Sequence, residues 1–222
     1  MDEPAETLPS EPIPAPTARK KRWPLMIGVL VAAVLLLSVG FVAGSRALYA
    51  RTFDSLVAGT RVAEGAQVWK DFFIAQDCFI DAVVEAGDAE LAFSEGLALL
   101  EESDLLARHV TSSLSSFSEI SVLPVHTALA AARDAIISHY QVWEAHLGRS
   151  TTILSGLEAD PAELAVRFQT WIDVVVADLE PIESTFTDSE SAFQSAAIDD
   201  PSRLEVDTLF TPSETECSRG AV

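Results

Sequence analysis

The chain of 222 residues carries 34 acidic and 14 basic side chains, and the imbalance is confined to one part of it. Residues 1–23 hold four acids (Asp2, Glu3, Glu6, Glu11) and four bases (Arg19, Lys20, Lys21, Arg22), so the whole net charge of −20 lies beyond Trp23. A surface that acidic repels phosphate backbones and anionic lipid headgroups, which excludes nucleic-acid binding and peripheral attachment to a membrane surface.

Taken in chain order, residues 1–18, "MDEPAETLPSEPIPAPTA", are Pro-rich and poor in large apolar side chains. Such a segment cannot bury enough surface to fold, and 1–23 is predicted to be a disordered cytoplasmic tail. No charged residue occurs from Trp23 to Ser45. About 20 apolar helical residues span a hydrocarbon core of roughly 30 Å, so 24–45 reads as a transmembrane helix. Ala43-Gly44-Ser45 has the small residues of a cleavage site, but the run exceeds the usual signal core of about 7–15 residues, which favours an uncleaved anchor. Arg19, Lys20, Lys21 and Arg22 precede the span, whereas Arg46 and Arg51 follow it. The positive-inside rule therefore keeps residues 1–23 cytoplasmic and exports the remainder. Gly40 and Gly44 form a G-x-x-x-G spacing in the outer half, a surface through which two such helices pack closely as a homodimer.

From Arg46 to about Glu85, Val62, Ala66, Trp69, Phe73, Ile80 and Val83 recur on one helical face. Ala86-Gly87-Asp88 then supplies a helix-ending glycine and a capping aspartate. A second helix is predicted from Ala89 to about Ser118, with Leu99, Leu106, Val110, Leu114 and Phe117 on its stripe. Pro124 suits the first turn of a third, with Val125, Leu129, Ala132, Ile136, Tyr140, Trp143 and Leu147 inward and Gly148 as its stop. The fourth opens on Asp160, Pro161 and Glu163 and continues through Leu164, Phe168, Trp171, Val175, Leu179, Ile182, Phe186 and Phe193. Pro181 is expected to kink or break it. No stretch alternates with the period of a strand. The expected architecture is all-α: a single N-terminal transmembrane helix, an up-down four-helix bundle over 46–198, and an extended tail over 199–222.

The motifs of chemistry are missing. There is no P-loop, G-x-G-x-x-G, H-E-x-x-H, C-x-x-C or G-x-S-x-G. No Glu stands three residues before His109, His126, His139 or His146, so the Glu-x-x-His of a di-iron bundle is absent. His139 and His146 lie seven apart, about 10 Å along a helix, too far to share one ion. Glu101, Glu102 and Asp104 read as a solvated face, and Trp69, Phe72, Phe73, Trp143, Phe168 and Trp171 read as core. No catalytic, cofactor-binding or metal-binding residue is predicted, no cofactor is implied, and the chain is not expected to be an enzyme. Export does change how Cys78 and Cys217 read. They are the only two cysteines, and an oxidising compartment favours a disulfide between them.

This layout, a basic flank, one span and an acidic helical ectodomain, resembles that of uncharacterised single-span envelope proteins of actinobacteria. The resemblance implies a place in the cell membrane and transfers no functional residue. The expected function is an extracytoplasmic binding or assembly module for a protein partner. The alternative is a ligand-sensing accessory subunit of a membrane complex.

Overall fold

A computed structural model describes residues 23–197, with the side chains of all of these except 23–40 and 161. The chain divides into two compact units, Met1–Ser45 and Arg46–Val222. The first is helical from Trp23, where α1 (Trp23–Glu64) begins. Arg19, Lys20, Lys21 and Arg22 lie outside the described residues, as does the tail over 199–222, and Gly40 falls in the stretch of α1 described by its backbone alone. Gly44 is exposed, and a Cβ added there would meet nothing within 4 Å. Among the described residues no helix is long and apolar enough to cross a membrane. The apolar run predicted to do so falls mostly on 24–40, whose side chains are not among them.

The second unit is a helical bundle. Its first column is the later part of α1 followed by α2 (Gln67–Asp81), and α3 (Ala89–Glu119), α4 (Thr127–Ala159) and α5 (Leu164–Ala196) follow. No strand occurs among the described residues. The columns alternate in direction. At one end the Tyr49 hydroxyl of α1 donates to the Ala196 carbonyl of α5 at 2.6 Å, and the Tyr49 ring meets His126 before α4. At the other end Phe79 of α2 packs on Phe168 and Trp171 of α5.

The predicted single helix over 46–85 is interrupted. Gly65 closes the last turn of α1 by donating to the Arg61 carbonyl at 2.9 Å, and Ala66 then turns extended. A Cβ on Gly65 would sit 2.7 Å from that carbonyl, which explains the glycine. The break resets the helical phase, so the predicted stripe is displaced. Val62 is 75% exposed, while Phe53, Leu56 and Ala63 of α1 and Trp69, Phe72, Ala75 and Phe79 of α2 are buried. Phe73, Ile80 and Val83 pack only at the margin.

A π turn (Ala82–Ala86) follows α2, and Gly87, with φ of 61°, ends it in the left-handed region that favours glycine. The Asp88 carboxylate accepts from the Glu90 and Leu91 amides, as expected of the cap. In α3, Leu99, Leu106, Val110 and Phe117 are buried as predicted.

Three boundaries differ from expectation. Pro124 precedes α4 rather than opening it, and Val125 is exposed. Gly148 does not stop α4, because burial of Ser150, Leu154 and Leu157 beyond it outweighs a glycine cost of about 1 kcal/mol. Asp160 caps a short 3-10 turn (Pro161–Glu163) through the Ala162 amide, and α5 starts only at Leu164. α5 also runs unbroken through Pro181. Both Pro181 and Ala177, whose carbonyl the missing N–H would have reached, are exposed, so that carbonyl is left facing water.

Candidate functional site

Two clusters of linked polar side chains lie within the bundle. The first is the seam between α4 and α5. His139 and His146 on α4 are seven apart, as are Asp178 and Thr185 on α5, so the antiparallel helices bring each histidine opposite one partner. His146 Nδ1 donates to Asp178 Oδ2 at 2.9 Å. Arg149, one turn further along α4, reaches the same carboxylate with its terminal nitrogen at 2.7 Å from Oδ1 and Nε at 3.3 Å from Oδ2. Asp178 and His146 are buried, while the Arg149 side chain is half exposed.

Burial works against the Asp178 carboxylate, but hydrogen bonds from Arg149 and His146 outweigh it and hold its pKa below the usual range. Burial also lowers the pKa of His146, an effect opposed by Asp178 and reinforced by Arg149. The ring therefore sits neutral, with its proton kept on Nδ1 by the carboxylate. His139 Nδ1 lies 3.0 Å from Thr185 Oγ1, whose hydroxyl hydrogen is directed to the Pro181 carbonyl at 2.8 Å. His139 is accordingly the donor in that pair. Burial pushes its pKa down to about 4.

The second place is the junction of α1 and α2. The Ala63 carbonyl accepts from the Trp69 indole at 2.9 Å and from His109 Nε2 of α3 at 2.8 Å. The next residue, Glu64, accepts the Tyr140 hydroxyl of α4 at 2.7 Å. Desolvation raises the Glu64 carboxyl to about 7, with the Tyr140 hydrogen bond acting the other way. Burial and the neighbouring carboxylate push Tyr140 well above the ordinary phenol range. The rings of Trp69, Tyr140 and Trp143 pack edge to face around this point.

The sequence expectations map onto this structure unevenly. Trp69, Phe72, Trp143 and Trp171 are core, with Phe73 and Phe168 packed against it. Glu101 and Asp104 are exposed and Glu102 half-buried, its pKa raised by burial and then by Asp71 and Glu101. Among the described residues no group of three or more His, Cys, Asp or Glu is placed to hold a metal. Cys78 is half-buried on α2 and is not a free thiol, and Cys217 lies outside the described residues.

Glu64, Arg149, Asp178 and Thr185 were not singled out by the sequence reading. Asp178 did carry a signal, since it stands seven residues after Trp171 on the same stripe, where an apolar side chain is the rule. Glu64 carried a weaker one, standing four residues after Thr60 and seven after Val57 on the inward face of α1. Comparison of the chain with protein-family models, curated proteins and solved structures gave no match.

Proposed function

We propose that the chain is a membrane-anchored, extracytoplasmic helical module that binds or assembles with a protein partner and performs no catalysis. In this reading 24–45 is the anchor, with Gly40 and Gly44 as a homodimer contact within it. Arg19, Lys20, Lys21 and Arg22 hold residues 1–23 in the cytoplasm, and a Cys78–Cys217 disulfide fastens 199–217 to the bundle.

The observation that carries the reading is the contrast between interior and surface. The buried polar groups of both clusters are engaged with one another, leaving the outside of the bundle as the place where recognition can occur. Between residues 46 and 197 that bundle carries 24 acidic against eight basic side chains. It also exposes Val166 at 67% and Val176 at 62% on α5. Acidic character with scattered apolar footholds suits a partner presenting a basic face, whose encounter it would accelerate and whose competitors it would repel.

In-cell photocrosslinking from Val166 or Val176, followed by mass spectrometry, tests this. A discrete adduct with one protein, weakened by raised salt, is the expected result. Adducts indistinguishable from those of an unrelated anchored bundle would overturn it. The alternative, a ligand-sensing accessory subunit, draws support from the charged His146–Asp178–Arg149 cluster inside the seam. Interior charges of this kind are weak devices for stability and suit a bistable element.

A further inference from the structure

The bundle carries an apolar tip at one end. The connection between α3 and α4, residues 120–126, reads "ISVLPVH", and no charged residue lies between Glu119 and Arg133. The His126 amide donates to the Leu123 carbonyl at 2.9 Å, closing a turn with Pro124 in its second position. Turn tips are ordinarily filled by Gly, Asn, Asp or Ser. This one presents Leu123 at 41% and Val125 at 64% exposure. The exposure is not slack in the connection. Ile120 and Val122 pack against the core, Arg133 donates to the Ile120 carbonyl at 3.2 Å, and His126 is buried against the Tyr49 ring.

The direction of the tip follows from the helices around it. α4 runs parallel to α1, since His126 meets Tyr49 and, further along both helices, Tyr140 meets Glu64. Residues that precede His126 therefore lie on the side of Tyr49 from which α1 arrives. Tyr49 stands four residues after Ser45, where the charge-free run ends, a distance of about 6 Å along a helix. The interfacial layer of a bilayer is about 5–7 Å deep on each side of the hydrocarbon.

We propose that the Leu123–Pro124–Val125 turn dips into the membrane interface beside the anchor and props the bundle against the lipid.

The inference rests on the reading of 24–45 as a membrane anchor. The acidity that holds the bundle as a whole off a headgroup layer is missing from this turn. The only charged residues within three positions of Tyr49, Arg46 and Arg51, are exposed and basic, and so are drawn to lipid phosphates. Leu48, 50% exposed next to Tyr49, adds a third apolar side chain at this end. Two or three such side chains are a weak membrane contact on a free protein. On a tethered one they suffice, because the anchor already supplies a high local concentration of lipid.

Photocrosslinking of the full-length chain in phosphatidylcholine vesicles tests this. Benzoylphenylalanine is placed singly at Val125, at Val84 and at Leu35. Val84 is 65% exposed in the π turn at the opposite end of the bundle, and Leu35 lies within the predicted span. Mass spectrometry of the irradiated chain counts lipid adducts at each position. The yield at Val125 should exceed that at Val84 severalfold and approach that at Leu35. Adducts at Leu35 with Val125 no higher than Val84 would overturn the insertion and leave the anchor standing. No adduct at Leu35 removes the anchor, and the insertion with it. A crosslink from Val125 to a second copy in place of lipid also overturns the proposal, making the tip a contact between chains. Should the Val125 variant not fold, Leu123 takes its place under the same criterion.

Discussion

Asp178 is the residue on which the α4–α5 seam depends, since it accepts from His146 and Arg149 at once. A buried pair of this kind adds little over well-packed apolar side chains, yet removing one member strands the other. Asp178→Ala should therefore lower stability by about 1–3 kcal/mol. His146→Leu combined with Asp178→Leu should lose clearly less than Asp178→Ala, because no buried donor is left stranded and the half-exposed Arg149 can turn to water. Denaturant midpoints at unchanged slope measure both, and a double variant weaker than Asp178→Ala would show that the pair is a net contributor.

His139 gives a second case with a definite sign. Its folded pKa of about 4 lies below the ordinary imidazole value of 6.5, so the unfolded chain binds more protons between these values. The stability it protects is fully present above 6.5 and is lost as pH falls towards 4, on the order of 3 kcal/mol in all. Glu64 has the opposite sign, its contribution being present below 4.5 and lost as pH rises through 7. The two partly cancel in the wild type. His146 shares the sign of His139, so His139→Gln should make the change in unfolding midpoint between pH 7 and pH 5 more favourable to the acid side than in the wild type. A pH dependence identical to that of the wild type over that range would contradict the assignment.

The helices show where local signals suffice and where they do not. Gly87 and Asp88 mark a boundary because a left-handed glycine and a capping carboxylate act through their own backbone. The stripes of α3 and α4 were readable because Leu99, Leu106, Tyr140 and Trp143 keep one phase over several turns. The break at Gly65–Ala66 has no side-chain cap to announce it, so the phase of α2 was hidden. Gly148 misled for the converse reason, since the burial that carries α4 past it comes from other helices. That position yields a prediction. Gly148 is exposed, its φ is not positive, and an added Cβ meets nothing within 4 Å. Gly148→Ala should raise stability by about 0.5–1 kcal/mol through the smaller entropy of the unfolded chain. A thermal midpoint that drops would mean that α4 requires a flexible point there.

For the whole molecule, the decisive covalent question is what Cys78 is joined to. It lies on α2 and is not a free thiol, and Cys217 is the only other cysteine of the chain. Two partners are chemically open, Cys217 of the same chain or a cysteine of a second copy brought close by a Gly40–Gly44 contact. Reach favours the first. The described bundle ends at Ala197, beside Tyr49, and Cys78 stands 29 residues beyond Tyr49 along α1 and α2. At about 1.5 Å per helical residue this separation is about 44 Å. The 20 residues from Ala197 to Cys217 span up to about 66 Å when extended at about 3.3 Å each, so the distance is covered with slack. Leu204, Val206, Leu209 and Phe210 along that stretch would add apolar contacts to the bundle surface. An intrachain bond closing so long a loop is worth about 2–4 kcal/mol, with up to about 5 in the chain-entropy limit. Non-reducing peptide mapping of the full-length protein should return a Cys78–Cys217 linked pair from monomeric chain, and Cys217→Ser should lower the thermal midpoint. A Cys78–Cys78 linked dimer would overturn the intrachain strap and assign the bond to the partner copy instead.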